Sequence, residues 1–218
     1  QEYKSSLGNP SVTGEDHKEI AGELEQHLNS TQTSLERLGE FVRRMRSQTR
    51  VSSDTSTFYP SQIIRDVVAV FQPRANELQV TLGFFEPNTV VTLHGDATRF
   101  SQVVSNLLTN ALDACEGKPN SFVNVRLSIN DSEVRLEVHD NGKGIPEEIQ
   151  SHIFEPMFTT KEIGQGTGLG LAVVYDIVHG NFGGDISVQS TPGQGSTFTV
   201  RFPMGLVREV EPPVTHLQ

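Results

Sequence analysis

Asn106, Asn110 and Asp113 are spaced by four and three residues. On a helix, at roughly 100° per residue, they share an arc of about 60°. A carboxamide oxygen is a hard donor of the kind Mg²⁺ accepts beside waters and phosphate oxygens, although a solvated helix face carries such residues too. Further along stands Asp140-Asn141-Gly142-Lys143-Gly144-Ile145-Pro146. A carboxylate there can accept a hydrogen bond from a base while the glycines permit close approach; an Asp-Asn-Gly turn alone is common. Lys161 then precedes Gly164-Gln165-Gly166-Thr167-Gly168-Leu169-Gly170-Leu171. Glycine at every second position is incompatible with a stable helix or strand interior, and a loop of backbone donors running into a helix start suits phosphate. Lys161 supplies a point charge for the same anion. A mobile linker or a glycine packing motif would read the same way, and the segment matches neither the Gly-Lys-Ser/Thr P-loop nor the dinucleotide fingerprint.

The elements that must position these groups follow from periodicity. Residues 97 to 115 form the clearest helix, with Phe100, Val103, Val104, Leu107, Leu108, Ala111 and Leu112 on one face. The polar ridge Asn106/Asn110/Asp113 sits more than 90° from the centre of that stripe. Pro60 opens another helix, with Ile63, Ile64, Val67, Val68 and Phe71 on one face. Val80, Leu82 and Phe84 alternate as a strand, and Val90 to Leu93 is a short apolar run. Val123 to Ile129 and Val134 to Val138 alternate on either side of Asn130-Asp131, which reads as a hairpin delivering Asp140 at its end. A helix from about Gly168 to His179 and a hairpin around Thr191-Pro192-Gly193-Gln194-Gly195 follow. Strands without a strict strand-helix-strand rhythm predict an α+β fold, with helices on one face of a mixed or antiparallel sheet.

Upstream, residues 15 to 50 read as one helix with a narrow stripe that needs a partner helix, in this chain or a second copy. The polar run 51–57 links it to the rest, which places the expected limits at 1–57, 58–205 and a tail 206–218. The 218 residues suffice for a real core. The single Cys115 excludes a disulfide-stapled miniprotein and reads as a buried structural thiol. No run of about 18 apolar residues is present, so the expectation is a chain without a membrane segment, cytoplasmic in placement, either by itself or as the cytoplasmic part of a membrane-bound sensor. With 27 acidic against 17 basic side chains the formal charge is −10, which disfavours nucleic acid as a ligand. A polyanionic nucleotide would then need locally placed donors and a metal ion.

Taken in order, Asn106/Asn110/Asp113, Asp140/Gly142/Gly144, Phe154/Phe158 and Gly164 to Gly170 resemble the N, G1, F and G2 boxes of the sensor histidine kinase catalytic domain. The resemblance covers approximately Phe58 to Pro203. It implies a two-layer α/β sandwich that binds ATP, shared with type II topoisomerases, a mismatch-repair ATPase and a heat-shock chaperone. The stretch Phe158-Thr159-Thr160-Lys161 resembles the nitrogen-regulator branch, whose lid is short. Residue by residue, the resemblance implies that Asn110 coordinates Mg²⁺ and that Asn106 lies near the phosphates, with Asp113 on the same ridge. Asp140 would accept the adenine amino group, and Gly142 and Gly144 would line the base pocket. Phe154 and Phe158 would anchor a lid in which Gly164, Gly166, Thr167, Gly168, Leu169 and Gly170 close over the triphosphate beside Lys161. Thr197 resembles the last strand of the fold. An amide at position 106 is a poor general base, so transfer of the γ-phosphoryl group to a protein is expected over rapid hydrolysis.

That family carries its acceptor His, followed by an acid, on the first helix of a dimerising hairpin, and residues 15 to 50 look like the second helix. Leu7-Gly8-Asn9-Pro10 resembles the segment after the acceptor, but Ser5 and Ser6 stand where His and an acid are expected. His17 and His27 lack those surroundings and read better as surface histidines; His94, His139, His152 and His179 read as structural or exposed. The acceptor is therefore unassigned: its helix is missing from this chain, or the acceptor half has degenerated and the domain serves another protein. Two further readings are a nucleotide-gated interaction module without phosphoryl transfer and a hydrolytic relative. The expected partners are a response regulator receiver domain and a second copy of the chain, through the N-terminal helix.

Overall fold

In a computed structural model of the chain, which describes Gly22 and residues 55–130, 133–161 and 167–209, the helical pattern after Phe58 becomes α1, Pro60–Glu77. Proline is at home there, since its missing N–H would be unpaired in any case. Ile64 and Val67 are buried, and Ile63, Val68 and Phe71 pack against the same core. The elements described below belong to one compact unit, Ser52–Thr159 with Gly168–Gln218; Thr160, Lys161 and Thr167 fall in a second unit. The helix expected over 15–50, Ser5, His17, His27, Gly164 and Gly166 lie outside the described residues.

The strongest amphipathic segment is α2, Ala97–Cys115. Asp96 caps it by accepting from the backbone N–H of Thr98 and Arg99 at 2.8 and 3.1 Å. Every residue of the expected stripe is buried, and Cys115 joins them. Around Phe100 the rings of Phe58 and Phe202 lie with centroids 5.3 and 5.6 Å away, and Phe182 packs edge-on against Phe202.

A mixed five-stranded sheet lies under these helices: β2 (Thr81–Phe85), β4 (Phe122–Ile129), β5 (Glu133–Asp140), β6 (Asp185–Thr191) and β7 (Gly195–Pro203), in the order β2-β4-β5-β7-β6. Only β2 and β4 run parallel; the other pairs are antiparallel. Alternation turns Val134, Leu136 and Val138 of β5 and Phe198, Val200 and Phe202 of β7 into the core. The two-layer α+β architecture is therefore as expected. A second, three-stranded sheet was not foreseen: β3 (Val91–Gly95) pairs antiparallel with both β1 (Ser56–Phe58) and β8 (Val207–Glu209). β1 crosses the expected limit at 57/58 and β8 lies beyond residue 205, so the folded strands extend from Ser56 to Glu209.

Two short helices complete the unit. Pro146 precedes α3, Glu147–Gln150. The helix expected from about 168 to 179 is shorter, Gly170–Asp176 (α4), and widens into a π turn over Ile177–Asn181. In that turn the His179 Nδ1 lies 2.9 Å from the Tyr175 carbonyl.

Candidate functional site

The alternation that buries Leu136 and Val138 also turns Asp140, the last residue of β5, inward, where it is 1 % exposed. Gly142 donates its backbone N–H to Asp140 Oδ1 at 2.8 Å, and the backbone N–H of Ser196 donates to the same carboxylate. Burial pushes the Asp140 pKa above the usual carboxylate range, against the opposing pull of those two N–H groups and the charges of His139 and Lys118. A carboxylate has about four acceptor positions, so two donors leave capacity for a ligand's amino group. Perturbed groups of this kind concentrate at functional sites.

Glycine is required beside it. A Cβ on Gly142 would sit 2.5 Å from the Ala114 carbonyl oxygen, so the loop after β5 lies directly on the end of α2. Gly144 adopts φ +70 and packs on the backbone of Thr191. The loop is tied by Lys143 N–H to the Ala114 carbonyl at 2.9 Å and by Ile145 N–H to Ser190 Oγ at 2.8 Å.

The polar ridge of α2 faces the start of α4. Asn106 Nδ2 donates to the Gly170 carbonyl at 3.2 Å. The Asn110 Nδ2 lies 3.9 Å from where a Cβ on Gly170 would stand. Asp113, on the same ridge, pairs with Arg74 of α1, Nη2 to Oδ1 at 2.5 Å. Leu169 is fully buried and its carbonyl accepts from Val173 N–H. Gly168 adopts φ +63, and its carbonyl accepts from Met157 N–H at 2.9 Å. Phe154 and Phe158, both packed against the core, flank that contact, so the chain just before the glycine segment is joined to its third glycine, Gly168. Lys161 and Thr167 are half-buried and belong to the second unit.

Thr197 is placed differently from the others. It pairs with His139 in register, and its Oγ1 lies 2.8 Å from His139 Nδ1, on the sheet face opposite Asp140. The residue opposite Asp140 is Ser196, buried, with its Oγ 2.9 Å from Ser190 Oγ. The alternation of Phe198, Val200 and Phe202 carries that phase, since it turns even-numbered positions inward. Lys118, which donates to carbonyls of the loop after β5, has no sequence pattern that announces it. Cys115 is buried as expected, and burial together with the Asp140 charge pushes its thiol pKa up, away from reactivity.

Residues 95–206, a span holding every one of these site positions, match the model of the histidine kinase-, DNA gyrase B- and HSP90-like ATPase family. The chain belongs to that family. ATP is the nucleotide implied by this ATPase family, and the acceptor capacity left on the Asp140 carboxylate fits a purine amino group. Among similar proteins, the sensor histidine kinase ZraS of Escherichia coli strain K12 is 40% identical over 135 residues, 62% of this chain and 28% of ZraS. The two-component sensor PprA of Pseudomonas aeruginosa is 34% identical over 208 residues, 85% of this chain and 22% of PprA. This chain thus spans about a quarter of the length of these relatives. The catalytic domain of histidine kinase ThkA superposes with a TM-score of 0.61 at 31% identity, covering 69% of this chain and 95% of that one. ThkA in complex with response regulator protein TrrA gives 0.63 at 25% identity, covering 92% of this chain and 54% of that one.

Proposed function

We propose that this chain is the ATP-binding kinase core of a two-component sensor histidine kinase. It transfers the γ-phosphoryl group of ATP to a histidine for relay to a response regulator receiver domain. The observation that carries this reading is the buried Asp140 carboxylate, with acceptor capacity to spare, at the foot of a glycine loop packed on the ends of α2 and β6. Its support from relatives is that ZraS is a sensor histidine kinase and that ThkA forms a complex with a response regulator.

Asp140 accepts the adenine amino group, and Gly142 and Gly144 line the base pocket. A guanine, which presents a carbonyl at the corresponding position, would meet an acceptor with an acceptor. At the other end, the Asn110 carboxamide oxygen holds Mg²⁺, which would neutralise triphosphate charge in a protein whose own net charge repels an anion. Asn106 keeps its amide N–H on the Gly170 carbonyl and so positions the foot of the lid. It offers no carboxylate to activate water, which favours transfer to a protein acceptor over hydrolysis. Lys161, Gly164, Gly166, Thr167, Gly168, Leu169 and Gly170 order over the phosphates and exclude water. Dimerisation through the N-terminal helix and a cytoplasmic placement belong to the same proposal. Among the described residues no helix is long and apolar enough to cross a membrane.

Incubation with γ-labelled ATP and Mg²⁺, with and without a supplied histidine-bearing helical bundle, tests the reading. Acid-labile label on either protein supports it. Nucleotide binding without transfer would make the chain a nucleotide-gated interaction module, and steady phosphate release would make it a hydrolase.

A further inference from the structure

Lys118 stands on the turn that leaves α2, where its backbone N–H bonds to the Cys115 carbonyl. Its ammonium donates to three backbone carbonyls drawn from two distant segments. Asn141 and Gly142 (3.1 Å) belong to the loop after β5, and Gly193 (2.9 Å) to the turn between β6 and β7. An ammonium has three donors and no acceptor, so three carbonyls saturate it. The loop and the turn are also joined directly, Gly193 N–H to the Lys143 carbonyl at 2.8 Å.

One peptide unit in this arrangement is held from both ends. The carbonyl of Asn141 accepts from Lys118, and the N–H of the same peptide, that of Gly142, donates to Asp140 Oδ1. The peptide dipole therefore lies between a cation at its oxygen and an anion at its hydrogen, an arrangement in which each hydrogen bond polarises and strengthens the next. Rotating that peptide would remove a donor from a buried carboxylate and an acceptor from a half-buried ammonium together.

We propose that Lys118 is a positioning residue of the base pocket, its ammonium serving as a built-in monovalent cation in a three-carbonyl cage that fixes the Asn141–Gly142 peptide against Asp140. The inference rests on the reading of Asp140 as the base-recognising group. It assigns to Lys118 no contact with the nucleotide. The cage is made of main-chain oxygens, which can also ligate a free monovalent cation of similar size. Lys118→Ala opens the cage to such an ion, whereas Lys118→Met removes the charge and leaves the stem in place.

The test is titration of wild type, Lys118→Ala and Lys118→Met with ADP, in sodium, tetramethylammonium and ammonium chloride at equal ionic strength. Melting curves are recorded in each salt. Wild type is expected to bind equally in all three. Lys118→Ala is expected to bind about tenfold more weakly in sodium and tetramethylammonium, the loss of roughly one charge-assisted hydrogen bond, and to recover most of that loss in ammonium. Lys118→Met is expected to show the loss without recovery, and to lose binding at a higher pH than wild type, because the Lys118 charge, which together with His139 pulls the Asp140 pKa down, is gone. Should Lys118→Ala not fold, that pH displacement in Lys118→Met carries the decision. Equal binding by all three proteins, or an equal loss in every salt with no displacement in pH, overturns the inference while leaving the nucleotide reading intact. Absence of ADP binding by wild type overturns the nucleotide reading and this one with it.

Discussion

Ser196 stands directly opposite Asp140 across β5 and β7 and gives its backbone N–H to the buried carboxylate. The two strands that carry these residues belong to the first and the last hairpin of the unit respectively, so the proposed base pocket is built only when the two hairpins have come together. The pocket is consequently a property of the assembled sheet, and its chemistry is tested by single substitutions that leave the sheet intact.

Asp140→Asn keeps the shape and the acceptor for Gly142 N–H but turns a donor toward the adenine amino group. ADP affinity is expected to fall about ten- to a hundredfold, the worth of a hydrogen bond to a charged group. The melting temperature at neutral pH should stay level or rise. The sign follows from burial: the folded state raises the Asp140 pKa, so ionisation costs stability as pH rises from the ordinary carboxylate range through the raised value, and the amide escapes that cost. Calorimetric titration and a thermal melt check the two halves.

The same shift predicts a pH dependence of binding. Base recognition needs the ionised carboxylate, so affinity should be level at neutral pH and fall as pH drops through the raised Asp140 pKa, at a higher pH than an ordinary aspartate would give. In Asp140→Asn that fall should be absent. A wild-type profile that matches the variant's would remove Asp140 from the pocket.

Asn110 and Asn106 separate by metal. Asn110→Ala should abolish the gain in ATP affinity that Mg²⁺ confers and leave metal-free ADP binding nearly unchanged. Asn106→Ala breaks the bond to the Gly170 carbonyl and should lower phosphoryl transfer while keeping the gain in ATP affinity that Mg²⁺ confers. Titrations with and without chelator distinguish them.

Across β7 the two neighbouring hydroxyl residues should behave differently. Thr197→Val, on the face away from Asp140, loses only its bond to His139 and should leave ADP binding within about twofold, whereas Ser196→Val puts a branched side chain beside the carboxylate and should weaken binding severalfold or more. Gly142→Ala is the steric counterpart. Its new methyl meets the Ala114 carbonyl, so the loop must move, at a cost of about 1–3 kcal/mol in stability and with loss of nucleotide binding.

Much of this was legible in the order of residues, and the reasons are physical. The stripe of α2 buries so much apolar surface that its bounds and its polar ridge follow directly from a period of 3.6. The hairpin of β4 and β5 alternates cleanly because one face packs on that helix, which also delivers Asp140 to its place. The three-residue strands β1 and β8 are too short to display a period, and their pairing with β3 is decided by contacts across the chain. Thr197 and its neighbour Ser196 face opposite sides, since a step of one residue exchanges the two faces of a sheet, and the motif alone does not fix that phase. Lys118 is invisible for another reason: its carbonyl at Gly193 is 75 residues away, and main-chain acceptors carry no side-chain signature. The passage of α4 into a π turn over Ile177–Asn181 is likewise a change of winding that a 3.6-residue period does not report.

The account is tested most directly by a crystal structure of the protein with a non-hydrolysable ATP analogue and Mg²⁺. The expected result has the adenine amino group within hydrogen-bond distance of Asp140 and the metal ion on the Asn110 carboxamide oxygen. A nucleotide bound with its base away from Asp140, or a pocket closed by the protein's own side chains with the analogue elsewhere, would contradict it.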